Sequence, residues 1–161
     1  MSHADHGYVH GLRPHGLPDP NYDWQFYRGV PMRRLLAWVI DLVAVMVMAT
    51  VLTVLIAVPT LGFGLLLLPP IGLLTGFVYR TVTIGNRSAT WGMRLMGIEL
   101  RNRDGDRLTL GEAALHTGIF LVCMASVIGW LATCLLIAGT RYGQGIPDMV
   151  LGSTAINRPI D

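Results

Sequence analysis

Lysine is absent from this chain, and charge of either sign is scarce. All 12 basic residues are arginines, and only 14% of the 161 residues are charged. A soluble domain carries about 25%, so a water-solvated globule of this size is excluded. A hydrophobic fraction of 52% excludes disorder, which needs low hydrophobicity and high net charge. Without lysine there is no Schiff base and no phosphate-loop lysine. A net charge of only +2 gives no whole-chain attraction for nucleic acid, and no nucleic-acid partner is expected. Cysteine is nearly absent: Cys123 and Cys134 share one apolar run. On a continuous helix they would stand about 16 Å apart, too far for a disulfide. No CxxC or Cys/His metal spacing occurs. Nucleotide loops and hydrolase or metalloprotease signatures are missing as well. The sequence therefore implies no catalytic residue, no metal and no cofactor, and it does not read as an enzyme.

What is there is apolar, and it comes in long blocks. Residues 35–58, Leu35 to Val58, follow Arg33-Arg34 and stop at Pro59. Twenty-four helical residues reach about 36 Å, enough to cross a bilayer. Residues 61–79 form a second block without charge, and Pro69-Pro70 in its middle predicts a kink or a break in the helix. With only Pro59-Thr60 between them, the two blocks predict a tight transmembrane hairpin. Residues 113–138 form a third block with two open readings. It is one span, or it folds back near Ser126–Gly129 as a re-entrant pair. The fold class is thus an all-α integral membrane protein with a small cytosolic β element.

Orientation follows from arginine. Arg13, Arg28, Arg33 and Arg34 precede the first block, and Arg80, Arg87, Arg94, Arg101, Arg103 and Arg107 follow the second. The hairpin connection has none. The positive-inside rule puts the N-terminus and residues 80–112 in the cytosol. Residues 1–30, with His3, His6, His10 and His15, read as a flexible polar arm that ends in an interfacial Trp24-Gln25-Phe26-Tyr27 anchor. In the 80–112 segment, Thr90–Gly97 predicts a short interfacial helix with Arg94 snorkelling. Ile98–Arg101 alternates as a strand does, and Asp104-Gly105 predicts a tight turn. Leu108–Leu110 is a candidate returning strand. Ser153–Ile156 is strand-like too and can pair with Ile98–Arg101 if the C-terminus is cytosolic.

Between Leu35 and Tyr79 one charge survives, Asp41. A carboxylate at membrane depth costs roughly 2.5–3.5 kcal/mol on insertion scales, so it requires a partner or a function. Arg34 lies on the same face at i+7, but helix side chains lean toward the N-terminus, so Arg34 points away. In an antiparallel hairpin Asp41 stands level with Leu73–Thr75, which makes Thr75 and Tyr79 candidate donors. Arg80, Arg87 and Arg94 can reach in from the cytosolic edge, and His116 lies at similar depth. Two readings of Asp41 remain: a polar clamp that packs helices, or a proton or cation site.

Three separated patterns resemble one family. Arg34 and Asp41 stand seven apart at the start of the first helix. Thr90-Trp91-Gly92 and Leu95-Met96-Gly97-Ile98 follow in mid-chain. A late segment carries Asp148 within Gln144–Thr154. Together they resemble the RDD family of bacterial membrane proteins over residues 31–157. Met93 stands where many members have Lys, His116 near where many have Arg, and Pro147 where a His is common. Ser153 is an insertion.

The resemblance implies an inner-membrane location, a folded-back third block and a role connected with transport of an ion or small solute. It also groups Asp41, Arg34 and Asp148 as a polar or ion site; Thr75, Arg94 and His116 are supporting candidates from register and depth. The alternative is a non-transporting accessory protein whose Arg and Asp residues are structural. Beyond the lipid bilayer itself, the expected partner is a second copy of the chain or another membrane protein.

Overall fold

The computed structural model describes residues 16–158. Helix α1, Val30–Ala57, opens with Pro31 in its first turn, behind Gly29 at a left-handed φ of 72°. Proline there lacks only an N–H that would have no intrahelical acceptor. Twenty-eight residues span about 42 Å. Helix α2, Leu68–Arg87, settles one expectation about the second block and corrects another. Pro69 and Pro70 mark a break rather than a kink, because they occupy the first turn of α2 and not its interior. Ahead of them, Phe63–Leu67 is a 3-10 turn folded back on the end of α1. A Cβ on Gly64 would stand 2.6 Å from the Ala57 nitrogen, so only glycine permits that approach. The helix also does not stop at Tyr79. It continues to Arg87, because Arg80 is buried rather than solvated.

After Ser88, Thr90 caps the short helix α3, Trp91–Leu95, by accepting the Met93 N–H at 3.2 Å. Strand β1, Ile98–Arg101, follows. The Asp104-Gly105 turn forms, with Asn102 N–H donating to the Asp106 carbonyl at 2.9 Å. The returning strand at Leu108–Leu110 does not form. Leu108 N–H donates instead to Ser88 Oγ at 2.7 Å. Thr109 and Glu112 make a reciprocal capping box that starts helix α4, Leu110–Met124. The partner of β1 is β2, Thr154–Asn157, antiparallel, with Ile98 opposite Asn157 and Arg101 opposite Thr154.

That pairing brings the C-terminal segment back to the arginine-rich end. It can do so because the third block is bent. Helix α4 ends at Met124, helix α5 runs Val127–Gly139, and their axes turn through 118°. Ser126 drives the break by accepting the Gly129 N–H at 3.0 Å as cap of α5. Helix α6, Ile146–Leu151, then packs beneath α4.

The true core lies at the arginine-rich end and includes Val30, Ala37, Ile84, Ile98, Leu100 and Ala155. Further along α1 and α2, Val43, Met46, Leu55 and Leu74 are more than half exposed, as lipid-facing residues are. Residues 16–30, the described part of the arm, lie against the rest of the molecule. Gly16 N–H donates to the Arg103 carbonyl at 3.1 Å, and Tyr27 Oη donates to the Pro18 carbonyl at 2.8 Å. Asn157 Nδ2 ties down the Gln25 and Arg28 carbonyls. Of the aromatic side chains read as an interface anchor, Tyr27 packs edge-on to Tyr142, whereas Trp24 stays 55% exposed. His3, His6, His10 and His15 lie outside the described residues.

Candidate functional site

Asp41 points from the middle of α1 toward α2 and α3 and is 1% exposed. Tyr79 Oη donates to Oδ1 at 2.7 Å and Gly92 N–H to the same oxygen at 2.9 Å. Thr90 Oγ1 donates to Oδ2 at 2.6 Å. The donors are themselves fixed. Tyr79 Oη accepts the Trp91 N–H at 3.1 Å, and its ring packs edge-on against Trp91. Thr90 is at the same time the cap of α3. The carboxylate therefore ties the start of α3 to the side of α1. A Cβ at position 92 would stand 2.2 Å from the Ala37 carbonyl oxygen, so the contact needs glycine. Arg80 adds charge but no hydrogen bond. Its Nη1 stands 3.8 Å from Asp41 Oδ2, and its guanidinium lies over the Phe120 ring at 4.5 Å.

Asp148 builds a second cluster in the first turn of α6. Arg34 Nη2 pairs with Oδ2 at 2.6 Å, and Arg34 Nη1 donates to the Gly143 carbonyl at 3.0 Å. Gly145 N–H donates to Oδ2 at 2.9 Å, and His116 Nε2 lies 2.9 Å from Oδ1. An ionised carboxylate can only accept, so Nε2 carries the proton. Burial alone pushes the Asp148 carboxyl up. The Arg34 charge and the His116 and Gly145 donors outweigh it and bring it down to about 2.

The residues that the sequence grouped as one site are thus divided between two. Arg34 belongs to Asp148, not to Asp41. His116 serves Asp148 rather than the depth of Asp41. Thr75 is half-buried on α2 and makes no hydrogen bond to Asp41, which is correct one turn further on, at Tyr79. Arg94 is exposed and joins neither cluster. Sequence reasoning did not assign Thr90, Gly92 or Gly145 to a carboxylate. The Thr-x-Gly pattern was visible, but nothing local says that its hydroxyl and its N–H meet a carboxylate 49 and 51 residues earlier.

Between the clusters lies a cavity of about 330 Å³. Arg34, Asp41, Arg80 and His116 reach its wall, and the rest is largely apolar, including Trp38, Phe120 and Trp130. Helices α1, α2, α4 and α5 all contribute to it. Among the described residues, no group of three or more His, Cys, Asp or Glu could hold a metal ion.

A family model described as RDD family matches residues 28–152. The chain belongs to the RDD family. Searches of curated proteins and of solved structures gave no match. In this RDD protein the arginine of the first helix pairs with the late aspartate, while the aspartate seven residues on is held by α2 and α3. The departures from the family pattern are absorbed locally. His116 reaches the Asp148 carboxylate, and Pro147 sits in the first turn of α6, where its missing N–H costs nothing. The inserted Ser153 donates its N–H to the Asp148 carbonyl at 2.9 Å and closes the helix.

Proposed function

We propose that this RDD protein is a component for movement of a small solute or ion across a bacterial inner membrane, with the cavity between the two aspartate clusters as its solute site. The cavity carries the reading. It is a concave, mostly apolar space with a few convergent charged groups, which is how small-ligand sites are built. In this reading Asp41 shapes the wall and Asp148, behind it, holds Arg34 in place there, instead of carrying the cargo, since each already receives at least three donors. The N-terminus and the β pair face the cytosol, where arginine is retained.

Helices α4 and α5, of 15 and 13 residues, reach only about 20 Å each, short of the ~30 Å hydrocarbon core. One copy therefore does not enclose a path across the membrane, and the working unit is a homo-oligomer or a complex with another membrane protein. The test is flux. Purified protein in dye-loaded liposomes should give protein-dependent movement of H⁺, Na⁺, K⁺ or a small organic ion under a gradient, reduced when Cys134→Trp fills the cavity wall. Rates equal to empty liposomes for every ion would sink it. The saturation of both carboxylates favours a second reading, an accessory protein in which they only pack helices. No flux together with stable co-purification of another membrane protein would favour that one.

A further inference from the structure

Arg80 is the group in the cavity that its surroundings leave unanswered. It is buried to 9% exposure, where a guanidinium costs several kcal/mol unless its donors are used. It has five N–H donors, yet among the described residues it makes no hydrogen bond. Its contacts are the Phe120 ring face and the distant Asp41 oxygen, which already accepts from Thr90. Two threonines on the same wall, Thr117 and Thr133, also keep buried hydroxyls without a partner. The wall itself presents two guanidiniums and one carboxylate. Asp148 is fully buried behind Arg34 and does not line the space.

The geometry points to a binding site for a small organic monocarboxylate, its carboxylate on the Arg80 guanidinium and its apolar body between Phe120, Trp38 and Trp130. A carboxylate matches the planar fork of arginine. A dianion would meet Asp41, and an inorganic anion would leave the apolar walls unused. At roughly 30 Å³ for each water-sized group, the 330 Å³ cavity takes about ten non-hydrogen atoms, the size of 3-phenylpropanoate. The inference rests on reading this cavity as a solute site, and not on whether the solute is carried across.

The experiment is equilibrium binding of labelled 3-phenylpropanoate to the full chain in neutral-lipid nanodiscs. Saturable binding is expected, weakened at least tenfold by Arg80→Gln and not displaced by equal concentrations of 3-phenylpropanol, 3-phenylpropylammonium or chloride. Cys134 is exposed on the cavity wall whereas Cys123 is buried. Bound 3-phenylpropanoate should therefore slow alkylation of Cys134 by N-ethylmaleimide, and prior alkylation should block binding. That arm keeps the test decisive if Arg80→Gln does not fold. Absence of saturable binding, equal displacement by the alcohol, or displacement by chloride would each overturn the assignment. Binding without flux leaves the site standing and removes the transport reading. Flux of an ion without 3-phenylpropanoate binding does the reverse.

Discussion

The buried Asp41 carboxylate collects three hydrogen-bond donors, from Tyr79, Thr90 and Gly92. Charge-assisted hydrogen bonds contribute about 1.5–3 kcal/mol each, and a donor left without its acceptor costs a comparable amount. Asp41→Asn should therefore lower stability by about 2 kcal/mol. Asp41→Ala, which leaves all three donors without an acceptor, should lower it by about 3–5 kcal/mol. Thermal unfolding of the detergent-solubilised protein reads both, and a wild-type midpoint for Asp41→Ala would refute the clamp.

Asp148 predicts a pH dependence. Its carboxyl titrates near 2 in the folded protein, against an ordinary value of 3.8, so the unfolded chain takes up its proton first as the solution is acidified. The contribution, on the order of 2 kcal/mol, is complete above about pH 4 and is lost as pH falls toward 2. Unfolding curves between pH 5 and 2 should show wild type losing this increment while Asp148→Asn does not. The need for a partner at Asp41 was legible from its depth alone. So was Tyr79 as a candidate donor, from the register of the hairpin; Thr90 and Gly92 were not, because they arrive from a segment 49 and 51 residues away.

At the scale of elements, α3 has only five residues, too few to hold themselves as a helix in water. It persists because its cap and its first N–H groups are bound to Asp41 and Tyr79, and because Gly92 lies against the Ala37 carbonyl. Gly92→Ala should push α3 off α1 and destabilise by about 3 kcal/mol, at the upper end of overpacking costs. It should lower the unfolding midpoint as far as the aspartate variants do; an unchanged midpoint would show that α3 can move away without loss. At the start of α4, Thr109→Ala removes one half of the capping box and should cost about 1 kcal/mol, read in the same assay. Element reading from sequence failed where a residue type has two uses. Proline breaks a helix interior but suits a first turn, and Pro69-Pro70 took the second use. Leu108-Thr109-Leu110 alternates like a strand, yet its threonine caps a helix.

For the whole molecule, the bend between α4 and α5 places residues 16–30, the β pair and Arg158 on one side. Single cysteines at Asp104→Cys and Arg158→Cys, in a background without Cys123 and Cys134, should react with an impermeant maleimide from the same face of the membrane. Phe63→Cys, at the hairpin tip, should react from the other. Labelling of Arg158→Cys from the Phe63 side would refute the folded-back third block.

Composition and periodicity determined by themselves that this chain lies in a membrane, that its first two apolar blocks make a hairpin, and which end of that hairpin holds the arginines. They also named the strand that could close the edge at Ile98–Arg101. These are properties of local runs of residues, and hydrophobic length and charge placement are read directly from such runs. Only the tertiary structure decided that Arg34 joins Asp148 while Tyr79, Thr90 and Gly92 take Asp41, and that the third block turns back at Ser126. It also left Arg80 with unused donors on a cavity wall. Those outcomes depend on which helix faces pack together. Twenty-six apolar residues satisfy a bilayer equally as one span or as a bent pair, and a single strand pairing with one helix cap separates the two.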